Sequence, residues 1–185
     1  MRALLIIVAC MFSGCGSGTP EAPVAPVCRV VHMYGDSITH QAGQAIEEFL
    51  PCYTVINHGS DGTMAYQMPM PTWDKETVYT ISYGTNECLN NVSLDSYRLS
   101  LNHILNAGRG YKIVLEAPWL VVDPRCNWQV EQYRQIVVDL GKLYNVPVAT
   151  LDLDQSFNPN DGIHIPPDHM RERANLVAAE ILKLR

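Results

Sequence analysis

The chain has 185 residues, enough for one domain and cramped for two. It is 47% hydrophobic and 17% charged with 12 Gly and 12 Pro, which excludes a disordered tail, a coiled coil and a collagen-like rod. Thirteen Lys and Arg against 19 Asp and Glu leave a formal charge of −6 and no basic stripe, so no nucleic-acid partner is expected.

The first residues read as an address. Arg2 supplies a positive charge, Ala3 to Phe12 form a short apolar run, and Ser13-Gly14-Cys15 follows, the grammar of a secretory signal too short for a membrane span. Phe12-Ser13-Gly14-Cys15 resembles the lipobox of bacterial lipoproteins, which implies cleavage before Cys15 and lipidation of its thiol. Ile7-Val8-Ala9-Cys10 is a competing site with a shorter apolar run, and an ordinary signal cleaved without lipidation is a further alternative. Ser17 at the second position after Cys15 implies, by the same resemblance, sorting to the outer membrane. Residues 1–14 are thus the expected signal peptide, 15–27 a lipidated cysteine and a Pro-rich tether, and 28–185 the folded domain.

Along that domain, strand and helix patterns alternate. Arg29 to Tyr34 is a β-branched apolar run, read as a buried strand. Ala42, Ala45, Ile46 and Phe49 at i, i+3, i+4 and i+7 predict a helix over residues 40–50, closed by Pro51. Tyr53 to Asn57 and Thr77 to Tyr83 are the second and third strands. Residues 62–76 are a long irregular stretch carrying Met64, Tyr66, Met68, Met70 and Trp73, either packing under a loop or an apolar wall for a substrate. Ser93 caps a helix that stops at Gly108. Tyr111 to Leu115 is strand four, and Asn127 opens a helix running to Tyr144. Val146 to Leu151 is strand five, and Asp168 is expected to cap a last helix ending at Leu184. Continuous apolar strands joined by helices imply a parallel sheet covered on both faces, a three-layer α/β sandwich.

In such sheets ligands sit at the carboxyl ends of the strands. Gly35-Asp36-Ser37-Ile38-Thr39 follows strand one and Asn57-His58-Gly59-Ser60-Asp61-Gly62 follows strand two. Gly84-Thr85-Asn86-Glu87 follows strand three, and Asp161-Gly162-Ile163-His164 stands before the last helix. A serine hydroxyl needs an imidazole to remove its proton and a carboxylate to orient that imidazole. Attack on a carbonyl builds an oxyanion that requires fixed donors, and a glycine N–H and an Asn amide are of that kind. Ser37 read alone also fits a helix cap. Asp36 reads as a brace for the turn, and His40 and His58 as neighbours of the site rather than its base. Trp119 and Trp128 flank the loop after strand four, for packing or for stacking on a sugar.

These four blocks, in this order, resemble the SGNH or GDSL-type hydrolases. The resemblance implies a five-stranded parallel sheet of order 2-1-3-4-5, with Ser37 as nucleophile, Asp161 and His164 completing the triad, and an oxyanion hole of Ser37, Gly62 and Asn86. Gly59 is the fallback for Gly62. Glu87 stands where the family more often has Asp, and Ile165 where Pro usually follows the His. The function implied is hydrolysis of a carboxylic ester, a short acyl or acetyl group on a glycan or lipid, with no metal or organic cofactor. The rival reading is a non-catalytic envelope- or carbohydrate-binding module. The partners expected are the ester substrate and, through the anchor, a bacterial envelope membrane; the protein is expected to be a monomer.

Beyond Cys15 the sequence holds Cys28, Cys52, Cys88 and Cys126, without the spacing of a zinc site. Cys28 and Cys52 each precede a strand by one residue, so they share the amino-terminal edge of two neighbouring strands. Cys88 and Cys126 follow strands three and four at the opposite edge, about 17–20 Å away along a strand. The pairing expected is Cys28–Cys52 and Cys88–Cys126.

Overall fold

The computed structural model describes residues 28–119, 123–126, 128–150 and 162–184. The five expected strands are all present: β1 (Arg29–Gly35), β2 (Tyr53–Asn57), β3 (Val78–Ser82), β4 (Lys112–Glu116) and β5 (Val148–Ala149). They form one parallel sheet in the order β2-β1-β3-β4-β5. Among the described residues five α-helices accompany them, α1 (Ser37–Glu47), α2 (Thr85–Leu89), α3 (Leu94–Ala107), α4 (Val130–Tyr144) and α5 (Pro167–Lys183), with a 3-10 turn at Ala65–Gln67.

The period of two along a strand divides the interior into two layers. Tyr79, Ile81, Ile113 and Leu115 face one side, where they pack with Tyr97, Leu101 and Ile104 of α3 and Tyr133, Val137 and Leu140 of α4. Val31, Met33, Val78 and Val114 face the other, against Ile46 of α1 and Ala174, Val177, Ala178 and Ile181 of α5. Both faces of the central strands are therefore buried, which is why these strands read as continuous apolar runs. The register aligns Gly35 with Ser82, Ser82 with Glu116 and Glu116 with Ala149, a row that crosses the carboxyl edge of the sheet.

Several boundaries differ from expectation. The helix predicted over 40–50 begins at Ser37 and ends at Glu47, because a cap rather than the apolar period sets its start. Helix α2 carries no sequence signal of periodicity; five residues are too few to show one. The last helix is capped at Pro166, not Asp168, with Pro167 at its first position, where a missing N–H costs nothing. Strand β5 is shorter than predicted, Val148–Ala149 alone, and Leu151 lies outside the described residues, as does Asn127.

Cys88 of α2 and Cys126 before α4 are disulfide-bonded, with Cα atoms 5.4 Å apart. At the opposite edge the expected Cys28–Cys52 partners also meet. The Arg29 N–H donates to the Cys52 carbonyl at 3.1 Å, and the two sulfurs lie 3.3 Å apart, a contact longer than the expected disulfide bond. The parallel pairing of β1 with β2, which sets Arg29 opposite Tyr53, brings them together. Replacing Cys88 and Cys126 together with Ala should lower stability by about 2–4 kcal/mol in urea denaturation, the usual effect of opening a loop this long. Peptide mapping without reductant should link Cys88 to Cys126; a Cys28 peptide joined to either would contradict the strand order.

Candidate active site

The turn that carries Ser37 follows β1 directly. Asp36 is the cap of α1, and its Oδ1 accepts from the Ile38 N–H at 3.0 Å. Ser37 is therefore not the cap but the first helical residue, half-buried at the positive end of α1. The first N–H groups of a helix have no intrahelical acceptor. Asp36 takes that of Ile38, and the Ser37 N–H remains at the helix end beside its own hydroxyl.

His164 reaches this turn from the segment that leads into α5. Its Nε2 lies 2.9 Å from Ser37 Oγ, a hydrogen bond between residues 127 positions apart. Asp161 lies outside the described residues. Behind the histidine, the Gly162 carbonyl accepts from the Asp123 N–H at 3.1 Å. Arg125 in turn grips the Asp123 carboxylate through Nε at 2.9 Å and Nη2 at 2.7 Å, holding that carboxyl down to about 2. The segment after β4 is thus tied at one end to the His164 strand of chain and at the other, through Cys126, to the helix that carries Asn86.

Asn86 and the glycine loop converge on the same edge. The Asn86 amide donates to the Thr63 carbonyl at 3.0 Å, so one N–H fixes the side chain beside Gly62 and the second remains to donate. Glu87 is buried, and its two oxygens accept from Ala65 N–H at 2.5 Å and Gly84 N–H at 2.9 Å. It clamps both sides of Asn86, and burial raises its pKa. The sequence marked Glu87 only as a departure; standing three residues after the cap Gly84, its carboxylate reaches back to accept from the cap N–H.

The structure separates the two candidate glycines. The Gly59 N–H donates to Asn57 Oδ1 at 2.8 Å, and a Cβ there would sit 2.3 Å from the His40 nitrogen. Asn57 itself donates to the Thr39 and His40 carbonyls at 2.9 and 3.1 Å, stapling the loop to the first turn of α1. Gly59 is consumed by packing. Gly62 has φ +72° and is exposed with open space around it, a conformation that favours glycine and a backbone N–H that a ligand can approach.

The remaining residues singled out in the sequence fall into place around this centre. His40 meets Asp61 at 2.9 Å on the surface, and His58 meets His32 at 2.8 Å beside the Tyr34 ring. Trp119 and Met68 are buried in the core, whereas Trp128 and Tyr66 are 68% and 67% exposed. Tyr66 follows the Gly62 turn, and Trp128 follows the disulfide to the Asn86 helix.

Asp36 is only 2% exposed, and burial pushes its carboxyl up to about 7, opposed by the Ile38 N–H, with nearby Glu87 and Glu116 raising it and Arg173 lowering it. A folded-state pKa above the unfolded value means that the native chain holds this proton between about pH 4 and 7 while the unfolded chain has lost it. Asp36 therefore lowers native stability as pH rises through that window. Asp36→Asn keeps an acceptor for Ile38 and cannot ionise. Its stability relative to the wild type should improve by up to about 4 kcal/mol from pH 4 to 8. Urea curves at a series of pH values measure this; a constant difference would refute it.

No protein-family model and no curated protein matches the sequence. Solved structures do match its fold. A lipase/acylhydrolase from Enterococcus faecalis superposes with a TM-score of 0.68 at 19% identity, over 83% of this chain and 95% of that one. A member of the lipolytic G-D-S-L family from Veillonella parvula gives 0.66 at 15% identity, over 83% and 96%. A carbohydrate acetylesterase from Sinorhizobium meliloti gives 0.69 at 13% identity, over 85% and 100%. The chain has the five-stranded three-layer fold that these lipolytic and acetylesterase structures share.

Proposed function

We propose that this protein is a GDSL-type serine hydrolase that cleaves carboxylic esters through an acyl-enzyme on Ser37. The observation that carries this reading is the 2.9 Å hydrogen bond from Ser37 Oγ to His164 Nε2. A serine held on an imidazole at a helix N-terminus, beside an Asn amide and an exposed glycine turn, is the arrangement acyl transfer requires. A module that merely binds has no need of it.

In the proposed reaction Ser37 Oγ attacks the ester carbonyl carbon as His164 takes its proton, with Asp161 holding the imidazole. The carbonyl oxygen becomes an oxyanion held by the N–H groups of Ser37 and Gly62 and the Asn86 amide. Collapse breaks the bond to the alcohol, which leaves with the proton from His164. Water, deprotonated by the same imidazole, attacks the acyl-enzyme; the acid departs and Ser37 recovers its proton.

For the substrate we infer a short acyl group, acetyl above all, on a glycan. The carbohydrate acetylesterase from Sinorhizobium meliloti supports this, as do the exposed rings of Tyr66 and Trp128 on the loops either side of the Asn86 helix, since aromatic faces suit sugar rings. Rates on esters from acetate to palmitate should fall with chain length. For location we propose the bacterial envelope, with Cys15 lipidated. Cys15→Ser should abolish globomycin-sensitive processing and detergent partitioning, and a variant that partitions like wild type refutes the anchor.

Ser37→Ala should abolish turnover of p-nitrophenyl acetate, and Asn86→Ala should lower kcat by about 10²–10³, the usual loss of one oxyanion donor. Equal rates for Ser37→Ala and wild type would overturn the hydrolase reading.

A further inference from the structure

Behind the nucleophile turn lies a second polar cluster that the proposed chemistry does not use. Glu116 ends β4 and Arg173 stands in α5; they are 3% and 6% exposed and form a buried ion pair. A small enclosed cavity adjoins them, lined also by Asp36, Tyr83 and Ile165. Ile165 and Asp36 are the immediate neighbours of His164 and Ser37 in the chain.

Stability does not account for this pair. Two charges withdrawn from water lose their hydration, and apolar side chains of similar volume often serve the fold as well or better. Glu116 Oε1 and Arg173 Nη1 have, moreover, no hydrogen-bond partner among the described residues, a further penalty. What the pair supplies is direction. Below it, α5 rests on the sheet through Ala174, Val177, Ala178 and Ile181, and such contacts are non-directional. The one bond between them, Arg173 Nη2 donating to Glu116 Oε2, is charge-assisted and directional. Glu116 belongs to the row Gly35–Ser82–Glu116–Ala149, so whatever it holds is referenced to the strand end from which the nucleophile turn springs.

We infer that Glu116 and Arg173 are positioning residues: the pair fixes α5 along its axis and thereby sets His164 Nε2 against Ser37 Oγ. The inference rests on the reading of Ser37 and His164 as nucleophile and base. Slippage of α5 by a fraction of a turn would leave the core packed and the hydrogen bond broken.

The test replaces the pair by apolar side chains, Glu116→Leu with Arg173→Met, in the full chain. Well below the unfolding temperature, kcat on p-nitrophenyl acetate should drop at least tenfold, with KM within about threefold and thermal stability equal to wild type or higher. A folded double variant with wild-type kcat overturns the inference. Should the double variant not fold, Arg173→Lys decides, since it keeps the charge and replaces the rigid, planar donor with a shorter, freely rotating ammonium. A kcat lowered about tenfold at unchanged KM supports the inference, and a wild-type kcat refutes it. Ser37→Ala run alongside separates the two claims: if it retains activity, the hydrolase reading has failed whatever the pair does.

Discussion

A hydrogen bond between side chains 127 residues apart requires almost every element between them to be in place. Ser37 is set by the end of β1 and the cap of α1, and His164 by the approach to α5; α1 and α5 pack together over one face of the sheet. The serine and the histidine can meet because parallel strands discharge all their following loops at one edge. That constraint orders everything else at the site: each loop at the carboxyl edge is bonded to another loop, not merely adjacent to it. Asn57 staples the glycine loop to α1, Thr63 carries the loop to Asn86, Glu87 clamps Asn86 from both sides, and the Cys88–Cys126 bond leads on to the chain beside Gly162.

Buried charge marks the same edge. Asp36, Glu87 and Glu116 lie within reach of one another's fields, with Arg173 the cation among them, in a region nearly closed to water. A core assembled for stability alone would not place three carboxyl groups there. Each of the three is explained by a backbone or side-chain group it orients: the Ile38 N–H, the paired Ala65 and Gly84 N–H groups, and the Arg173 guanidinium.

The parts of this arrangement that were legible in the sequence are those governed by local periodicity or by chemistry-bearing residue types. Helix α3 is the clearest case, since Ser93 accepts from the Ser96 N–H and Gly108 ends the helix as its composition implies. The buried strands announced themselves because both faces are covered. The start of α1 did not, because the apolar positions begin a turn inside the helix while Asp36 caps it outside. Asp168 looked like a cap, yet the two prolines before it set the boundary first. Ser37, Asn86 and His164 were singled out by type and position, and the structure brings Ser37 to His164 and Asn86 to the glycine loop. The choice between Gly59 and Gly62 depended on which N–H Asn57 occupies, a tertiary fact without a local signature. Glu87 and the Glu116–Arg173 pair were illegible for the same reason: their roles are defined by what folds over them.

The polarity of β1 carries one last consequence. Residue 28 enters the sheet at its amino-terminal edge, and seven residues later the strand delivers Gly35 to the opposite edge, about 20 Å away. Residue 28 and the Ser37–His164 pair therefore sit at opposite edges of the sheet. A contact made at the Cys28–Cys52 edge thus leaves the carboxyl edge, with Ser37 and His164, uncovered.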